Sequence, residues 1–226
     1  MADRKAKILE NNLTGLILNI DGQEVITRLI GSFNAYNILS VYGAAIELKE
    51  EKLQILTTLS NLHSPEGRFQ FIKTESNILG IVDYAHTPDA LENVLSTIKG
   101  LRTGNEKLIT LVGCGGDRDK DKRPEMARIA AEGSDKVILT SDNPRSEEPE
   151  AILADMKAGL DPVTIRKAVS IVDRAEAIRT ACMLVQPGDI ILVAGKGHEK
   201  YQDTKGEKHP FDDFAIVYDT FKMLND

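Results

Sequence analysis

Two apolar runs, residues 108–112 and 137–139, bracket a segment whose Met126, Ile129 and Ala130 fall on one helical face. The pattern predicts strand, glycine turn, helix, strand and polar turn. The alternation continues on both sides. A strand over residues 78–82 precedes a helix that Pro88 begins and whose Leu91, Val94, Leu95 and Ile98 share one side. Further on come a helix carrying Ile152, Leu153 and Met156, a short strand around residues 169–172, and a helix capped by Asp173 with Ile178, Cys182 and Val185 inward. A strand over residues 190–194 follows. The last helix, capped by Asp212, turns Phe214, Val217, Tyr218 and Phe221 to the core. Strands alternating with helices in this way predict an α/β fold, a mostly parallel, doubly wound sheet with helices on both faces and right-handed crossovers.

The amino-terminal quarter has a different period. Leu16, Leu18 and Ile20 precede Asp21-Gly22, and Val25, Thr27 and Leu29 follow it, which predicts a hairpin. A lone hairpin is only marginally stable, so it is expected to be the edge of a larger sheet whose other strands are missing. A helix then places Ile38, Val41, Tyr42, Ala45 and Leu48 on one face, and a second helical run carries Leu53, Leu56 and Leu59. The stretch His63-Ser64-Pro65-Glu66-Gly67-Arg68 punctuates the chain. It sets a domain boundary between residues 1–63 and 64–226.

Composition narrows the function classes. With 226 residues, 42% of them hydrophobic, the chain can bury a sizeable core. A formal net charge of -7 argues against a broad nucleic-acid or anionic-membrane surface. Cys114 and Cys182 have neither metal-ligand spacing nor a disulfide framework, which suits a reducing, cytoplasmic setting. No apolar run reaches the roughly 20 residues that span a bilayer. The opening MADRKAKILENN lacks the apolar centre of a signal peptide.

Four loops after strands are rich in glycine and charge: residues 83–86, 113–118, 142–145 and 195–199. One such loop is ordinarily a turn or a helix cap. Four on the carboxyl edge of one sheet favour a ligand site. Arg118 and Arg145 can grip a carboxylate in a planar, bidentate manner, while Asp142 and Glu199 can accept hydrogen bonds from an ammonium group. Together they complement an amino-acid zwitterion. In the opposing reading, Arg145 pairs with Glu147 or Glu148 on the surface. The run Gly113-Cys114-Gly115-Gly116-Asp117-Arg118 departs from G-x-G-x-x-G, which counts against a dinucleotide oxidoreductase. There is no G-x-x-x-x-G-K-[ST] loop, and Lys196 lacks its spacing. His86 and His198 stand apart from any acidic cluster, so no metal ligands are assigned and hydrogen-bonding roles are expected of them.

Taken together, Gly31-Ser32-Phe33-Asn34-Ala35-Tyr36-Asn37, Gly67-Arg68, Asp83-Tyr84-Ala85-His86-Thr87-Pro88, Gly115-Gly116-Asp117-Arg118-Asp119, Asp142-Asn143-Pro144-Arg145 and Gly195-Lys196-Gly197-His198-Glu199 resemble the Mur ligases in order and spacing. The resemblance covers nearly the whole chain. It implies that residues 1–63 are the tail of a central ATP-binding domain, a hairpin plus helices, and that residues 64–226 are a Rossmann-like amino-acid-binding domain. The phosphate-binding loop, a carbamoylated lysine and the magnesium ligands would lie upstream. The resemblance also implies ATP and Mg2+ as cofactors. By the same resemblance, phosphoryl transfer from ATP turns the glutamyl carboxylate of UDP-MurNAc-L-Ala-D-Glu into an acyl phosphate and leaves ADP, and the amine of a diamino acid then attacks the acyl phosphate, giving a tripeptide and releasing phosphate. Asn37, Arg68, Asp83 and His86 match family positions that contact ATP. For the amino acid, the matching residues are Arg118, Asp142, Asn143, Arg145, Gly195 and Glu199. The run Asp142-Asn143-Pro144-Arg145 resembles the members that add meso-diaminopimelate, whereas lysine-adding members usually lack the arginine. By this resemblance the partners are small molecules, the protein is a monomer, and the chain alone is inactive, with no catalytic residue assigned. The alternatives are a stand-alone amino-acid or nucleotide-binding module, or an L-lysine-adding ligase.

Overall fold

The computed structural model describes residues 4–225, which form two compact units meeting in sequence at Ser64 and Pro65. In the first unit, β1 (Ala6–Asn12), β2 (Gly15–Ile20) and β3 (Gln23–Thr27) form an antiparallel sheet in that order. Asp21 and Gly22 both adopt positive φ (47° and 86°), as a two-residue hairpin turn requires, and Ile20 pairs with Gln23. The expected hairpin is therefore present, with β1 as a further strand. That strand is mostly polar and exposed, so no alternation announces it. Leu16, Leu18 and Ile20 are buried under α1 (Phe33–Glu47) and α2 (Lys52–Ser60) with Ile38, Tyr42, Ile55, Leu56 and Leu59. Tyr42 Oη also donates to Asp21 Oδ2 at 3.1 Å, tying the helix to the turn. Three expected core positions are corrected: Val41, Leu48 and Leu53 are exposed. The buried stripe of α1 runs through Asn34, Ala35, Ile38 and Tyr42, one step round the helix from Val41 and Leu48.

The second unit is built on a six-stranded sheet in the order β4-β5-β9-β6-β7-β8. β4 (Gln70–Lys73) runs antiparallel to β5 (Leu79–Asp83) at one edge. The rest are parallel: β9 (Ile190–Ala194), β6 (Leu108–Cys114), β7 (Lys136–Ser141) and β8 (Ala168–Ser170). Every residue of β5, β6 and β9 is buried, as expected for strands covered on both faces. Crossovers through α3 (Pro88–Leu101), α4 (Lys122–Gly133) and α5 (Pro149–Lys157) carry the chain from β5 across to β8. The return to β9 through α6 (Arg174–Leu184) reverses direction, and a right-handed reversal lays α6 and α7 (Asp213–Asn225) on the opposite face. There Ile109, Leu111, Ile138, Ile178, Cys182, Val193, Val217 and Phe221 share one core. Tyr218, expected inward, is half-exposed because it follows Val217 round the helix. A hairpin that the sequence pattern did not announce, β10 (Tyr201–Thr204) and β11 (Glu207–Pro210), follows β9.

Candidate functional site

The parallel strands β5, β6, β7 and β9 deliver their following loops to one sheet edge, beside the reversal of strand order, where open α/β sheets bind ligands. A cleft of about 510 Å³ lies there. It brings together Arg118, Asp142, Asn143, Arg145, Gly195 and Glu199 with His86. Arg68, which is exposed, and Asp83, which is buried, do not line the cleft. The Arg68 guanidinium lies 5.1 Å from the Tyr84 ring centre, and the His86 and His198 rings lie 4.5 and 5.0 Å from it. Both Asp83 carboxylate oxygens accept backbone amides, from Phe69 (2.7 Å) and Ala85 (2.9 Å), and burial pushes this carboxyl up from its ordinary value. Asn37 lies on α1 of the first unit, where its side chain donates to Asn34 Oδ1 at 3.1 Å.

Glycine is required where two loops close on each other. A Cβ at Gly116 would sit 1.9 Å from the Pro144 carbonyl oxygen. This close approach lets Gly116 N–H donate to the Asn143 carbonyl (2.9 Å) and Arg145 Nη1 donate to the Gly116 carbonyl (2.8 Å). Arg145 itself holds φ at 51°, a conformation that non-glycine residues keep only when the surroundings impose it. β10 supplies that constraint: Arg145 N–H donates to the Asp203 carbonyl, and Lys205 N–H donates to the Arg145 carbonyl. The surface pairing considered for Arg145 is not what forms. Arg123, fully buried on α4, takes Glu147 through two bonds of 2.7 and 2.9 Å and reaches Asp155 at 2.7 Å. That pairing, with the Asp117 amide, lowers Glu147 to about 2.

The least expected feature is Lys196. Its side chain is fully buried, and Nζ donates to Asn143 Oδ1 (2.8 Å), Asp142 Oδ1 (3.2 Å) and Glu199 Oε2 (3.4 Å). Sequence reasoning set it aside for lacking a phosphate-loop spacing; glycines on both sides were the available signal. Burial, with the Glu199 and Asp142 carboxylates nearby, pushes the Tyr84 phenol up. Arg123 and Tyr201 were also missed, since a basic residue on a helix and an aromatic after a loop carry no local signature.

The fold and the cleft define a doubly wound α/β domain with oppositely charged loops at the carboxyl edge of its sheet. Residues 67–197 match the family described as Mur ligase, glutamate ligase domain, and the chain belongs to the Mur ligase family. It is 52% identical over 221 residues to the UDP-N-acetylmuramoyl-L-alanyl-D-glutamate–2,6-diaminopimelate ligase of Bacteroides thetaiotaomicron, covering 98% of this chain and 46% of that protein. The ligase of the same name from Phocaeicola vulgatus is 54% identical over 221 residues, with the same coverage. A solved structure of a ligase of this name superposes with a TM-score of 0.76 at 40% identity, covering 100% of this chain and 46% of that one. The folylpolyglutamate synthase of Thermotoga maritima shares the fold at 21% identity and a TM-score of 0.66, over 85% of this chain and 44% of that one. The chain thus spans about half the length of the relatives it matches. Among the described residues, no helix is long and apolar enough to cross a membrane.

Proposed function

We propose that this chain is the amino-acid-accepting part of an ATP-dependent, ADP-forming ligase that adds meso-diaminopimelate to UDP-MurNAc-L-Ala-D-Glu in peptidoglycan precursor synthesis. One observation carries the reading: a single cleft holds Arg118 and Arg145 together with Asp142, Asn143 and Glu199. The arginines suit the second carboxylate of diaminopimelate, and the acidic side suits an ammonium group. Lysine would offer those guanidinium groups no carboxylate, so the analogue lacking that group forgoes the charged contact. The names of the relatives at 52–54% identity favour diaminopimelate over the lysine alternative.

ATP, when bound, supplies the activation of the glutamyl carboxylate. On this reading Arg68 and His86 would face it, Arg68 from beside the Tyr84 ring and His86 from the end of the cleft that Tyr84 lines. Asp83 would act by holding the loops that carry Arg68 and His86, because both its oxygens already accept backbone amides. Asn37, in the first unit, is carried over from the family resemblance alone, residues 1–63 then being the end of an ATP-binding domain. Magnesium enters through the family alone and is assigned no ligand in this chain. The test is an NMR titration with meso-diaminopimelate and, separately, L-lysine. Diaminopimelate should shift the amides of Gly195 and Arg145, lysine should not, and Arg145→Ala should abolish the response. Equal shifts with both amino acids would overturn the assignment.

A further inference from the structure

We propose that Lys196 is the positioning residue of the cleft: its ammonium group locks Asp142, Asn143 and Glu199 into one receiving set for a single substrate ammonium. The inference rests on the amino-acid-acceptor reading above and adds a residue to it. An ammonium has three donors, and Lys196 aims them at three side-chain oxygens, one from each partner. The Asn143 amide is thereby fixed in orientation. Its Oδ1 accepts from Lys196 and from the Asp203 amide (2.9 Å), and its Nδ2 donates to Glu199 Oε2 (2.8 Å).

Two features separate this cluster from an ion pair that merely holds the fold. The first is its free acceptors. Among the described residues, Asp142 Oδ2 and Glu199 Oε1 take part in no hydrogen bond, so each carboxylate keeps one oxygen for a visitor. Gly195 leaves room beside that oxygen, since a Cβ there would lie 3.1 Å from Asp142 Oδ2. The buried Arg174–Asp213 pair on the opposite face contrasts with this: both Asp213 oxygens accept from Arg174, at 2.8 Å each. The second is charge. Two carboxylates and one ammonium leave a single net negative charge in the cluster, the complement of one incoming ammonium. Without Lys196 the two carboxylates would repel each other in a poorly hydrated place.

The test replaces Lys196 by methionine, which keeps length without charge, in the complete gene product. Steady-state kinetics should show KM for diaminopimelate rising about 10–100-fold, the range typical when a supporting partner of a binding group is removed. KM for ATP should stay within about twofold of wild type. In the 226-residue chain, the Asn143 side-chain amide and the Asp203 backbone amide should shift and exchange faster, while the Leu18 backbone amide on β2 of the first unit stays in place. Lys196→Gln, which keeps a hydrogen-bond donor without the charge, serves where the methionine variant does not fold; it too should raise the diaminopimelate KM while that for ATP stays within about twofold of wild type. A parallel rise in both KM values, or undisturbed Asn143 and Asp203 signals, would overturn the positioning role. If the wild-type protein ligates no diaminopimelate, the functional reading fails, and the amide signals still decide whether Lys196 orders the cluster.

Discussion

Gly116→Ala offers a stringent test of how the cleft is held. The added Cβ would meet the Pro144 carbonyl oxygen at 1.9 Å and its carbon at 2.8 Å, both backbone atoms that no rotamer change can remove. Ordinary contact requires the two loops to part by about 1.5 Å. The Gly116 N–H to Asn143 bond, 2.9 Å in the native protein, and the Arg145 Nη1 to Gly116 bond, 2.8 Å, then pass beyond hydrogen-bonding range. A neutral bond contributes about 1 kcal/mol and one to a charged group about 2, so a loss of about 3 kcal/mol is expected. For a domain of this size that lowers Tm by about 6–12 °C. Differential scanning calorimetry measures the loss. The same variant should weaken diaminopimelate binding, because Arg145 is released from the conformation that faces the cleft. A Tm within about 1 °C of wild type would refute the loop closure described here.

Two further predictions concern titration. Glu147 is held near 2 by Arg123 and the Asp117 amide, below its ordinary 4.5, so its contribution to stability is complete above about 4.5 and is lost as pH falls toward 2. Glu147→Gln should therefore flatten the fall in urea midpoint between pH 5 and pH 2.5; an unchanged slope would show that the pairing does not stabilise the fold. Burial pushes the thiols of Cys114 and Cys182 up to about 12, so neither should react with a disulfide reagent at pH 8 until the protein is unfolded. Rapid labelling of the native protein would contradict the packing of β6 and α6.

The strands and helices around the sheet were legible because burial imposes a period. Residues such as Leu91, Leu95 and Ile98 recur at helical spacing, and β6 and β9 read as short unbroken apolar runs. The glycine and charge clusters that end the parallel strands were equally legible, since one sheet edge collects such loops whatever their partners. Those loops met in the expected cleft, with Arg118, Asp142, Asn143, Arg145, Gly195 and Glu199 around it. Elements without that signal escaped. β1 is polar and exposed, and the β10–β11 hairpin carries charged and polar side chains that no core sorts into alternation.

The sequence by itself determined the α/β class, the glycine- and charge-rich loops after the strands and the residue types that line the cleft, because these follow from local periodicity and the properties of single side chains. Only the tertiary structure decided who pairs with whom. Arg123 rather than Arg145 takes Glu147, and Lys196, 53 or 54 positions from its Asn143 and Asp142 partners, becomes the buried centre of a cluster of side-chain oxygens beside the cleft. Such choices depend on which strands lie side by side. A buried ammonium takes whichever oxygens the fold brings within about 3 Å, and sequence distance does not encode that.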